Sequence, residues 1–178
     1  MRRALPALLA VLVAAVAVVG CGDSDSSSNV PSKAEYKQTY ASLNKQIDAL
    51  GAAVGAAVTG SGGKSNKALE KTFGDLADKT REAAQKVDDA TPPDDAAIQK
   101  QQAALVKGLN VAADDLDAIS TAAGKKDLKA AGTAAGKLTR DNAGVANPHR
   151  ALNKLVLGIV PAPATGGGAP KTTTTTAP

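Results

Sequence analysis

Apolar residues recur along the middle of this chain at alternating spacings of four and three. In the first stretch they are Tyr36, Tyr40, Leu43, Ile47, Leu50, Val54 and Ala57. Such a seam repeats every 3.5 residues on average, the pattern of helices packed nearly antiparallel in a bundle. Ser32-Lys33-Ala34-Glu35 opens it as a capping box, in which serine and glutamate satisfy each other's free backbone donors. Gly60-Ser61-Gly62-Gly63 closes it. Leu69, Phe73, Leu76, Thr80, Ala83, Val87 and Ala90 form a second seam. A third runs through Ile98, Gln102, Leu105, Leu109, Ala112, Leu116, Ile119 and Ala123, ended by Gly124. Between them, Thr91 reads as a cap, Pro92 as the first helical residue, and Asp94 and Asp95 as partners of the helix dipole.

A fourth seam, Leu128, Ala131, Ala135, Leu138, Asn142 and Val145, stays in register through His149, Leu152, Val156 and Ile159. Pro148 falls inside it. A mid-helix proline loses one hydrogen bond and crowds the carbonyl four residues back, here that of Gly144, so a break or kink is predicted near 146–148. The fold expected is all-α: a four-helix up-down bundle with helices near 32–59, 65–90, 92–123 and 125–146. A short extra C-terminal helix near 148–160 covers it. Gly51/Gly55 and Gly132/Gly136, each four apart, are expected to allow close backbone approach inside the bundle.

The N-terminus has a different pattern. Arg2 and Arg3 precede an almost unbroken Leu/Val/Ala run over Leu5–Val19, followed by polar Gly22-Asp23-Ser24-Asp25. The run holds 15 residues and includes Pro6, short of the roughly 20 a spanning helix needs, and reads as a secretory signal. Val18-Val19-Gly20-Cys21 resembles the lipobox of bacterial lipoproteins. That resemblance implies cleavage between Gly20 and Cys21, a diacylglycerol thioether on the Cys21 sulfur and an anchor in the cell membrane on its extracytoplasmic face. The chain then divides into a signal peptide (1–20), a lipidated cysteine with a flexible Ser-rich tether (21–31), the helical domain (32–160) and a disordered Pro/Gly/Thr-rich tail (161–178). The layout is similar to a group of lipoproteins from high-GC Gram-positive bacteria that combine a lipobox, a Ser/Asp-rich tether and an Ala-rich bundle. That resemblance implies localisation and fold, with no assigned activity.

Loss of Met1–Gly20 lowers Lys+Arg from 21 to 19 against 17 Asp+Glu, a balance of +2 that carries no nucleic-acid signature. Cys21 is the only cysteine, so no disulfide forms within the chain. Two tyrosines and one phenylalanine are the only aromatics, and the core must be built mostly from Ala, Leu and Val.

Catalytic chemistry finds little to work with. Gly63-Lys64-Ser65 ends like a phosphate-binding loop, but Val58 stands where its first glycine belongs. Asp23, Asp25 and Ser27 faintly echo a calcium loop, with Ser28 and Ala34 in place of the required Gly and Glu. His149 is the only histidine, which precludes a His-based metal set or a His-activated serine. Asp75, Asp78, Asp88, Asp89, Asp114, Asp115 and Asp117 sit off the seams and read as a solvated face rather than an acid–base pair. The sequence therefore predicts no enzyme, no metal and no cofactor. Two function classes remain: a non-enzymatic interaction module for an envelope protein or cell-wall polymer, and a carrier of a lipid or small apolar ligand. An apolar cavity of about 300 Å³ or more between the helices favours the carrier.

Overall fold

The structure, a computed structural model, describes residues 30–159. The expected signal peptide, the Gly20–Cys21 cleavage site, the lipidation site Cys21, most of the tether and the tail lie outside the described residues. The fold is an all-α bundle, with no strand among the described residues. Helix α1 spans Lys33–Thr59, α2 Asn66–Asp89, α3 Ala96–Gly124, α4 Leu128–Asp141 and α5 Ala143–Leu152, and a π-turn over Asn153–Leu157 completes it. None of these helices is long and apolar enough to cross a membrane.

Helix α1 starts as its sequence dictates. The Ser32 hydroxyl accepts from the Glu35 N–H, and the Ser32 N–H donates to Glu35 Oε2 at 2.8 Å. Hydrogen bonding to Ser32 holds the Glu35 carboxyl below its usual range. The α3 start is a correction. The cap is Asp95, not Thr91, and its Oδ1 accepts from the N–H groups of Ala97 and Ile98. Pro92 and Pro93 precede the helix in a non-helical link, and the Asp95 N–H closes a turn onto the Pro93 carbonyl at 2.7 Å.

Helix α3 is the hub. It packs on α2, α4 and α5, while α1 rests mainly on α2 and on the π-turn. One core half joins Tyr36, Tyr40, Val87, Ile98, Leu105 and Leu152, and the other joins Ala57, Phe73, Leu76, Leu116, Ile119 and Leu138. The seams of α1, α2 and α3 supply most of these residues. That of α4 is displaced, burying Ala134 and Leu138 and leaving Leu128 73% exposed. The position of α3 also corrects the reading of Asp115. It flanks the seam residue Leu116, but α4 covers that flank, so Asp115 is buried against Lys137 Nζ at 2.6 Å instead of solvated.

The predicted break near Pro148 lies elsewhere. A one-residue turn at Asn142 separates α4 from α5, and Pro148 is accommodated inside α5. Pro148 has no N–H for the Gly144 carbonyl. That oxygen instead faces the Cα of Gly108 on α3, where a Cβ would fall 2.5 Å from the Gly144 carbonyl carbon and closer still to its oxygen. A Cα–H is a weak donor, and here it meets an acceptor left without its helical partner. Close backbone approach thus occurs at Gly108, not at the glycine pairs expected to allow it. A Cβ on Gly51, Gly55 or Gly132 would meet nothing within 4 Å, and one on Gly136 only the Arg140 guanidinium at 3.8 Å.

Candidate functional site: an apolar groove between α1, α3 and α4

Helix α4 has 14 residues against 27 in α1. At 1.5 Å per residue the two run roughly 21 and 40 Å, so α4 cannot cover the whole flank of α1. The uncovered space is a groove of about 330 Å³. Leu109, Ala112 and Leu116 of α3 form its floor, and Leu50, Val54 and Val58 of α1 form one wall. Leu138 and Thr139 form the facing wall, with Asn142 and Val145 at the α4–α5 turn closing one end. Gly51 and Gly55 line the α1 wall and recess it, since no side chain fills the space beside them. The seam residues Leu50, Val54 and Ala112 stay half-buried for this reason.

The hydroxyls around the groove are internally satisfied. Thr80 Oγ1 donates to the Leu76 carbonyl at 2.7 Å, Thr59 Oγ1 to Gly55 at 2.9 Å and Thr139 Oγ1 to Ala135 at 3.0 Å. Their donors point into their own helices, which leaves an apolar lining. A broader open depression of about 580 Å³ lies over the outer side of the Gly108–Gly144 contact, flanked by Lys107, Arg140 and Asp141.

The residues singled out in the sequence as candidate chemistry are dispersed. Asp114 and Asp117 converge on Arg81, Asp75 pairs with Lys71, and Asp78 lies 3.8 Å from Arg81. The hydrogen bonds to Asp117 and Asp114 hold the Arg81 guanidinium above its ordinary range. Asp115 Oδ2 is buried without a hydrogen-bond partner. Among the described residues no group of three or more His, Cys, Asp or Glu side chains is placed to hold a metal ion.

His149 ties α5 to α1. Its Nε2 lies 2.7 Å from Asn44 Oδ1, and Asp48 Oδ1 is 3.9 Å away. The Tyr40 hydroxyl donates to Asn153 Oδ1 at 3.0 Å and lies 3.4 Å from the backbone carbonyl of His149. Burial lowers the His149 pKa, and Asp48 opposes this more weakly. The folded state therefore takes up the proton less readily than the unfolded chain. Its contribution to stability is present above the ordinary histidine value of about 6.5 and is lost as pH falls through that value towards the lowered one. Urea unfolding midpoints should drop on acidification across this window, and His149→Gln should flatten the drop.

The sequence matches no known family model, no curated protein and no solved structure.

Proposed function

We propose that this chain is a membrane-anchored extracytoplasmic lipoprotein whose bundle binds a small, elongated apolar ligand in the α1–α3–α4 groove. The single observation that supports the ligand reading over a bare interaction module is the groove itself, whose volume of about 330 Å³ falls in the range of small-molecule sites. Its lining supplies contact and desolvation, and the Asn142 amide at one end offers the polar group that fixes orientation. The anchor reading rests on the lipobox resemblance of Val18–Cys21. It is checked by mass spectrometry of the mature chain, where an acylated Cys21 as first residue is expected and an intact Met1–Gly20 would refute it.

The ligand reading is tested with N-phenyl-1-naphthylamine, an apolar probe that fluoresces on leaving water. At about −0.3 kcal/mol per heavy atom for roughly 17 atoms, binding amounts to about −5 kcal/mol, a Kd on the order of 100 µM. Gly55→Leu places a branched side chain into open groove space without a backbone clash. It should weaken probe binding at least tenfold, by the loss of about 1.4 kcal/mol or more, with helicity unchanged. Unaltered binding in Gly55→Leu would remove the groove from consideration.

A further inference from the structure

The end of the bundle where α1 meets α2 and α3 meets α4 carries an unbalanced positive charge. Lys64 and Lys67 flank the start of α2, and Lys125, Lys126 and Lys129 flank the α3–α4 turn. The two loops are brought together because Ser120 Oγ donates to the Glu70 carbonyl at 2.7 Å and Ala57, Phe73, Ile119 and Ala134 share one core cluster. All five lysines are exposed, and none has an ion pair among the described residues. Two acidic groups lie between them, Asp127, which caps α4 through the Ala130 N–H, and Glu70, whose carboxylate lies over Gly124, so five cations face two anions.

Lys126 adds an independent sign. It has a φ of 59°, and it is the one non-glycine residue with positive φ among the described residues. The Lys126 N–H donates to the Ala123 carbonyl and the Asp127 N–H to that of Ala122, the bond pair of a Schellman turn. That turn places glycine, which has no Cβ to crowd, at the position Lys126 occupies. A cation is therefore held where the backbone alone favours glycine, and strained positions of this kind concentrate at working surfaces.

We infer that this lysine tip docks a linear phosphate-bearing polymer. The tip is lysine-only, so it lacks the planar fork by which arginine grips one carboxylate or phosphate bidentately. Five point charges on flexible stems read charge density along a chain rather than the shape of one small anion. The position of the tip favours a polymer over a bilayer. Val30, where the described chain begins, lies at the opposite end of α1, roughly 40 Å away at 1.5 Å per residue. With Cys21 acylated as proposed above, the nine residues from Cys21 to Val30 reach at most roughly 30 Å. The tip is then the end of the bundle farthest from the anchor.

The test uses the full chain in non-ionic detergent with long-chain polyphosphate as probe. Binding should weaken on the order of 100-fold between 50 and 200 mM salt, as release of counterions from four or so phosphates requires. Lys126→Gly should lower the affinity several-fold and reduce the salt slope by about 1. Its melting temperature should stay equal or rise, because glycine relieves the turn; this separates a docking role from a structural one. Lys154→Gln, at the opposite end, should change neither. The proposal is overturned by absence of polyphosphate binding at 50 mM salt, or by equal effects of Lys126→Gly and Lys154→Gln. It is equally overturned if mixed micelles containing phosphatidylglycerol displace the polymer at lower phosphate concentration than free polyphosphate does. The anchor enters only the choice of partner, so mass spectrometry of Cys21 fails or succeeds separately from these measurements.

Discussion

Gly108→Ala should destabilise the protein by about 3 kcal/mol or more, at the upper end of what overpacking costs. Helix propensity alone gives the opposite sign, since alanine is favoured over an interior glycine by about 1 kcal/mol. The geometry decides between them. The new Cβ would stand 2.5 Å from the Gly144 carbonyl carbon and 3.0 Å from the Val145 nitrogen, with the Gly144 oxygen nearer still. These are backbone atoms of α5, and no rotamer change moves them aside. Relief requires α5 to shift off α3, which would loosen Leu152 and Val156 from the core they share with Leu105 and Leu109. Gly132→Ala is the internal control. Its Cβ meets nothing within 4 Å, so it should stabilise by up to about 1 kcal/mol. Urea unfolding of the two variants should therefore move in opposite directions, and parallel shifts would show that the α3–α5 contact is not tight.

Gln102→Leu should cost roughly 3–5 kcal/mol, even though leucine suits a seam position. Gln102 is buried, and its amide makes three bonds at once. Oε1 accepts from the Tyr36 hydroxyl at 2.7 Å, and Nε2 donates to the carbonyls of Val87 and Ala90, both at 2.6 Å. Those carbonyls belong to the end of α2, where a helix leaves its last acceptors unpaired. Leucine would strand both, together with the Tyr36 hydroxyl, and each buried unsatisfied group costs about 1–3 kcal/mol without strict additivity. Tyr36 is desolvated enough that its pKa is raised to about 12, so little water is at hand to substitute. Tyr36→Phe removes one partner and leaves the two stronger constraints intact, so it should cost about 1 kcal/mol. A double-mutant cycle between the two positions should give a coupling energy clearly different from zero.

The faces of the first three helices, and all their ends except the start of α3, were legible because local chemistry determines them. The Ser32–Glu35 box and the Gly60–Gly63 stop need only neighbours in sequence, and the alternating seam needs only one packing partner. What the pattern lacks is the number of partners. Asp115 looks solvated on a helix with one buried stripe, yet α3 is flanked on several sides and buries it. Leu128 looks like a core residue on the α4 seam, yet it opens the first turn of α4, beyond the neighbours that would cover it. The glycines were misread for the same reason. Spacing marked Gly51/Gly55 and Gly132/Gly136, whereas the contact at Gly108 depends on a carbonyl freed by Pro148, forty positions away. The groove was legible only as a condition on volume. Its signal in hindsight is a long first seam facing a short fourth helix.

The dominance of the α2–α3 packing also predicts an order of assembly for the molecule. These helices are neighbours in sequence, joined by a short proline link, and form the most extensive interface, so their pairing closes a small loop at low entropic cost. Helix α1 is made earlier by a chain synthesised from its N-terminus, yet two of its side-chain ties wait much longer. Asn44 meets His149 across 105 positions, and Tyr40 meets Asn153 across 113. Until those residues emerge, the apolar stripe of α1 has only part of its final covering, and the first helix to appear is the last to be locked in place.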